Sequence, residues 1–220
     1  MRLLPTYQKL LENNQEWAAE KLAEDKDCFS RLANGQSPPF LFIGCSDSRN
    51  PIETITQSQP GDIFVHRNIG NQVLLTDVNV LSVLDYAVNV LQVRHIIVCG
   101  HYNCGAVGAA IMGSASGIVN NWIDGLRELY LSVKPELDLL PTTEDRIKRL
   151  AEINVLKQAK NVCKTSIIQN AFLTGRYPVI HAWIFDISKG LIKDQPLPIE
   201  EWRQLDLIPD HYVGHSQAIS

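Results

Sequence analysis

Apolar residues along this chain gather in a few short runs, and two of those runs stop at short polar clusters that contain cysteine. Phe40-Leu41-Phe42-Ile43-Gly44 follows Pro38-Pro39 and is too short for a helix, so it predicts a buried strand. Asp62-Ile63-Phe64-Val65-His66, after the turn signal Pro60-Gly61, predicts a second strand. His95-Ile96-Ile97-Val98-Cys99-Gly100 predicts a third, and Val179-Ile180-His181-Ala182-Trp183-Ile184-Phe185-Asp186 the last long one.

Between the strands the period changes to that of a helix. Residues 5–26 place Tyr7, Leu10, Leu11, Trp17, Ala18 and Leu22 near helical spacing behind Pro5. This helix precedes the first strand and has no sheet partner in sequence, so it is expected to pack on a neighbouring protomer. Residues 77–91 carry Val80, Leu81, Leu84, Ala87, Val88 and Leu91, the pattern of a largely buried helix. Gly105-Ala106-Val107-Gly108-Ala109-Ala110 suits a helix lying close to the sheet. Thr142 and Asp145 resemble a capping box ahead of Ile147, Leu150, Ala151, Leu156 and Ala159. That pattern runs to Gly175, long for one helix, and a break is expected between Cys163 and Ser166. The stretch after Asp194 is interrupted by prolines, weakly patterned, and expected at the surface. The alternation predicts an α/β fold with a mostly parallel central sheet flanked by helices.

At 220 residues, 45% of them apolar and 20% charged, the chain has the size and composition of one globular domain. We divide 1–220 into a helical arm (1–36), a metal-binding core (37–194) and a C-terminal tail (195–220). A net charge of −4 leaves no basic footprint for nucleic acid or an anionic membrane surface. There is no run of about 18 apolar residues that could span a bilayer, and the first residues lack the pattern of a secretion signal. A cytoplasmic location is expected.

The chemistry sits where strands end. Cys45-Ser46-Asp47-Ser48-Arg49 follows the first strand and His101-Tyr102-Asn103-Cys104 the third. Two thiolates, an imidazole and a carboxylate match zinc in a tetrahedral shell. A structural zinc site is the bland alternative, but such sites are built from paired Cys and His units with every position filled. Here one half is Cys-x-Asp, and Arg49 stands two residues from Asp47, where a guanidinium can hold the carboxylate and decide whether it reaches the metal. In α/β sheets ligands collect at the carboxyl ends of parallel strands, so neighbouring first and third strands would bring the motifs together. A helix beginning after Cys104 is expected to favour thiolate over thiol there. The remaining cysteines, Cys28, Cys99 and Cys163, read as small buried hydrophobes. His66, His95 and His181 read as satisfied near the sheet; His211 and His215 have the i, i+4 spacing of a helical metal pair but lie in a weakly patterned tail and are not read as ligands.

These motifs resemble the β-class carbonic anhydrases, the bacterial members in particular. Gly61-Asp62-Ile63-Phe64-Val65-His66-Arg67-Asn68, Asp85-Tyr86-Ala87-Val88 and His181-Ala182-Trp183 extend the likeness over nearly the whole chain. The resemblance implies one zinc per chain on Cys45, His101 and Cys104, with Asp47 either a fourth ligand in a closed form or paired with Arg49 in an open one. It implies reversible hydration of carbon dioxide to bicarbonate and a proton through a zinc-bound hydroxide, with Asp47 and Arg49 as catalytic residues. The substrate pocket would include Gln36, Phe64, Ile69 and Tyr86, some from a neighbouring protomer of a homodimer or homotetramer. Some bacterial relatives bind inhibitory bicarbonate through Trp, Arg and Tyr; Phe42, Arg67 and Phe185 stand at those positions, so weak effector binding is expected. Two other readings share the site: hydrolysis of carbon disulfide or carbonyl sulfide, and a non-catalytic bicarbonate- or zinc-sensing module. The presence of Asp47 and Arg49 disfavours the last.

Overall fold

The computed structural model describes residues 6–212 and 214, and contacts divide the chain into two compact units, Met1–Gln36 and Ser37–Ser220. In the first unit the expected helix is shorter than 5–26. α1 (Tyr7–Glu24) opens on Thr6, whose side chain accepts from the Lys9 amide at 3.2 Å. It stops at Asp25, whose extended backbone cannot continue a helix and whose carboxylate pairs with Arg31 of α2 (Cys28–Ala33). No residue of α1 is buried; Tyr7 and Leu10 are 78% and 54% exposed. Cys28 is only partly buried, a correction to its reading as a core thiol.

In the second unit, β1 (Phe40–Cys45), β2 (Ile63–Asn68), β3 (His95–His101) and β4 (Val179–Asp186) are all parallel, and β5 (Leu191–Gln195) closes one edge antiparallel to β4. Their order is β2-β1-β3-β4-β5. After β1 the chain runs to one side for β2 and returns to the other for β3, so the order reverses between β1 and β3, where such sheets open a crevice.

Period two sorts the strand residues. Leu41, Ile43, Ile96, Val98, Ile180, Ala182 and Ile184 join the large core, while Phe42, Ile97, Cys99 and Phe185 join Ile52 in a smaller cluster. After α3 (Ile52–Thr56) and β2, α4 (Val78–Asp85) passes into a π-helical turn (Tyr86–Val90), closed by the Leu91 amide on the Tyr86 carbonyl at 2.9 Å. The periodicity had predicted a single regular helix there. α5 (Gly105–Met112) follows β3, then α6 (Gly117–Trp122) and α7 (Asp124–Leu137), which the pattern did not resolve.

α8 (Thr143–Lys164) starts as predicted, with the Asp145 amide on Thr142 Oγ1 at 3.0 Å. It breaks at Thr165, whose side chain caps α9 (Ser166–Thr174). α8 packs on β3 and β4. A Cβ at Gly100 would stand 2.5 Å from Val155 Cγ2, so only glycine admits the helix at this distance.

The tail corrects its reading as surface. Beyond α10 (Ile199–Gln204), Tyr212 is fully buried and its hydroxyl accepts from the Ile180 amide at 2.8 Å; Trp202 of α10 is 1% exposed. Two large aromatics are enough to bind a short segment that carries no periodic pattern. His215 lies outside the described residues. Among those described, no helix is long and apolar enough to cross a membrane.

Candidate metal centre

The carboxyl ends of β1 and β3 are adjacent, and each delivers one ligand. Cys45 is the last residue of β1 and His101 the last of β3; Cys104 follows after a turn in which Asn103 takes φ +57°. The two Sγ atoms are 4.0 Å apart. Two sulfurs at about 2.3 Å from a tetrahedral zinc would be about 3.8 Å apart, so the pair is already at metal-binding separation. The ligand atoms of Cys45, His101 and Cys104 all lie within 4.8 Å of one another, and the three residues are buried.

His101 Nδ1 lies 3.0 Å from the Tyr102 carbonyl. A carbonyl only accepts, so the proton sits on Nδ1 and the Nε2 lone pair faces the two sulfurs. Nε2 is buried with no hydrogen-bond partner. An orphaned imidazole nitrogen beside two thiols is the donor set of a borderline-soft divalent cation, and the residues fit zinc.

The thiols share their protons unequally. The hydrogen bond from Cys104 brings Cys45 down to about 4, against the cost of burial. Cys104 is pushed well up by that same bond, by burial and by the Cys45 charge. The Ala106 and Val107 amides at the start of α5 pull Cys104 the other way but do not win. The helix start thus favours thiolate at Cys104, as expected, while the adjacent Cys45 opposes it. Cys99 and Cys163 are each raised to about 12 by burial, as inert core thiols are.

Asp47 stands off this group. Its carboxylate takes a fork from Arg49, Nε to Oδ1 at 2.9 Å and Nη2 to Oδ2 at 2.6 Å, with the Arg49 amide also on Oδ1 at 2.9 Å. Oδ2 remains 3.7 Å from His101 Nε2, so the carboxylate borders the centre without joining it. The Arg49 fork holds its pKa well below the usual carboxylate range.

Arg67 has partners of its own. Nε donates to the Cys45 carbonyl at 3.0 Å and Nη2 to the Asp47 carbonyl at 2.7 Å, tying down the loop between the first two functional residues. Phe42 and Phe185, read with Arg67 as effector positions, are 0% and 4% exposed in the smaller core cluster. A Cβ on Gly44 would be 2.2 Å from the Phe42 ring, which fills the space beside the ligand strand.

Of the expected pocket residues, Phe64 and Tyr86 meet with ring centroids 5.8 Å apart. Ile69 follows Asn68, the residue paired with Cys45, and its carbonyl accepts from Trp122 Nε1 at 2.7 Å. Phe64 pairs with Leu41, four residues or about 13 Å along the strand from the metal end. Gln36 belongs to the first unit and is exposed.

The sequence reading missed a polar row on the buried face of α8. Asn154 donates to the Gly70 carbonyl at 3.1 Å, Gln158 Oε1 accepts the Val73 amide at 2.8 Å, and Asn161 donates to the Val73 carbonyl at 2.9 Å. Together they hold the loop that carries Ile69. Three amides at helical spacing among Ala151, Val155, Ala159 and Val162 were the available clue.

A family model described as carbonic anhydrase matches residues 40–192, which include every ligand and both catalytic candidates. The chain belongs to the carbonic anhydrases. A carbonic anhydrase of Emericella nidulans is 43% identical over 86% of this chain and 83% of its own length. One from Pseudomonas aeruginosa is 35% identical over 74% and 76%. The resemblance is thus not peculiar to bacterial members. Among solved structures, a tetrameric β-carbonic anhydrase of Sordaria macrospora aligns with a TM-score of 0.82 at 39% identity, covering 86% of this chain and 95% of that one. The Coccomyxa β-carbonic anhydrase in complex with acetazolamide aligns at 0.85 and 36%, covering 91% and 92%. This carbonic anhydrase is therefore of the β class, and its buried Cys-His-Cys group is a metal-binding site.

Proposed function

We propose that the enzyme hydrates carbon dioxide reversibly to bicarbonate and a proton with one zinc per chain, held by Cys45, His101 and Cys104. The observation that carries this reading is the buried trio itself: sulfurs at metal-binding separation facing an imidazole nitrogen with no other partner. Bound there, zinc would supply a Lewis acid that makes hydroxide available near neutral pH.

The chain's own residues do the rest. Cys45 is already inclined to thiolate, and Cys104 gives up its proton when a cation offsets the like charge. Asp47, kept anionic and turned aside by Arg49, accepts a hydrogen bond from the attacking oxygen and aims its lone pair at carbon. Arg67 fixes both carbonyls of the loop, so the carboxylate does not drift.

The Phe64–Tyr86 pair lies about 13 Å up the strand from its own centre, which favours a site completed across an interface. We infer that this pair serves the centre of a second copy in a homodimer or homotetramer. The tetrameric assembly of the Sordaria relative supports that reading.

The test is metal analysis together with stopped-flow hydration. Wild-type protein is expected to hold about one zinc per chain, and Cys104→Ser to lose both metal and turnover. Full zinc occupancy in Cys104→Ser would reject the ligand set.

A further inference from the structure

At the far end of the sheet from the metal, a cavity of about 590 Å³ opens where β3 and β4 begin. Arg94 stands immediately before β3 and Pro178 immediately before β4, roughly 20 Å along the strands from His101. This size is that of a site for a small organic ligand.

Its walls have an unusual charge balance. Arg94 and Arg176 line it, and among the described residues no Asp or Glu does, in a chain whose net charge is −4. Among the described residues every other arginine has a hydrogen-bond partner: Arg31, Arg49, Arg67, Arg127, Arg146, Arg149 and Arg203 all donate to a carboxylate or carbonyl. Arg94 and Arg176 are the described arginines left over, and both face the same cavity. Two guanidinium forks suit a doubly charged phosphate, which each can bind through parallel N–H bonds.

The remainder of the wall divides by chemistry. Val88, Val93, Ala171 and Pro178 supply apolar surface, and Asn170 with Gln92 supply amides. Inorganic phosphate has no use for the apolar part, whereas a phosphorylated molecule with a carbon body covers it. We propose that this cavity binds a small phosphorylated organic molecule, with its phosphate on Arg94 and Arg176. This chain's own metal centre lies roughly 20 Å away, and a phosphorylated organic molecule is neither carbon dioxide nor bicarbonate, so it is an additional ligand of the enzyme.

Isothermal titration of the full-length, metal-loaded protein tests this, with AMP and glucose 6-phosphate as probes and adenosine, glucose and orthophosphate as controls. At least one phosphorylated probe is expected to bind saturably, one per chain, and at least tenfold more tightly than its unphosphorylated partner and than orthophosphate. Arg94→Gln and Arg176→Gln are each expected to weaken that binding about tenfold or more while leaving hydration activity unchanged. Both side chains are exposed, so the fold should tolerate either change. The proposal fails if neither probe binds at millimolar concentration, as it would were the cavity covered by a second copy. It also fails if the unphosphorylated compounds or orthophosphate bind equally well, or if both arginine variants keep wild-type affinity.

Discussion

Asp47 and Arg49 are two residues apart, yet their side chains meet over the metal centre, and the geometry assigns them unequal tasks. The carboxylate borders the centre while the guanidinium, more than half exposed, holds it from outside. Arg49→Ala should leave zinc bound, free the carboxylate to close on the metal, and cut turnover by at least tenfold in stopped-flow assays. Asp47→Asn should also slow the reaction, because an amide replaces the anionic acceptor. The pH sign follows from the lowered pKa of Asp47. Its ion pair contributes fully above the unfolded carboxylate value of about 4 and is lost only as pH falls through the lower folded value. Loss of activity between pH 8 and 6 therefore does not come from protonation of Asp47. An acid limb is therefore expected to persist in Asp47→Asn, displaced by the lost charge but not abolished, and a profile flat between pH 8 and 6 in this variant would contradict it.

Among the elements, α8 does most to position the site without touching it. Its apolar residues lie on β3 and β4 while its buried amides hold the loop after β2, so one helix couples sheet packing to the placement of Ile69. The contact is tight at Gly100, where Val155 leaves no space for a methyl group. Gly100→Ala is expected to destabilise the protein by about 1–3 kcal/mol in urea unfolding. In a Val155→Ala background the cost should shrink, because the nearest atom has been removed. An unchanged cost would place the strain elsewhere.

For the whole molecule, two features matter beyond the metal. The C-terminal segment is anchored by Trp202 and Tyr212, so Trp202→Ala should cost about 3–5 kcal/mol, measured by denaturant unfolding of the metal-loaded protein. The second is the proposed completion of the site across an interface. Cys104→Ser lacks metal in its own centre, and Tyr86→Ala lacks one wall of the pocket it would offer a partner. If Tyr86 serves the neighbouring copy, the two variants co-expressed should form mixed oligomers in which some centres have both intact ligands and an intact pocket, recovering part of the lost activity. If Tyr86 serves its own centre, no chain in any mixed species has both its ligands and its pocket wall, and co-expression would give no more than the average of the two variants.

The local order of the chain was legible because it rests on short-range physics. β1 to β4 announce themselves as apolar runs bounded by prolines, glycines or ligands. Thr142 marks a helix start because a side-chain oxygen satisfies a nearby amide. The ligand types of Cys45, His101 and Cys104 and their places after strands were equally readable, since donor chemistry belongs to the residue. What depends on contacts between distant segments was not. β5 has only one edge to pair with and little apolar pattern, and the buried tail depends on two aromatics whose partners lie elsewhere in the chain. The mutual influence of Cys45 and Cys104 depends on a 4.0 Å approach across 59 residues, which opposes the local pull of the α5 amides on Cys104. Arg67 likewise reads as an effector-site cation in sequence, and only the fold brings the two carbonyls that engage it. Desolvation and like-charge repulsion are set by what surrounds a group in space, so they are decided only when the sheet and α8 close around it.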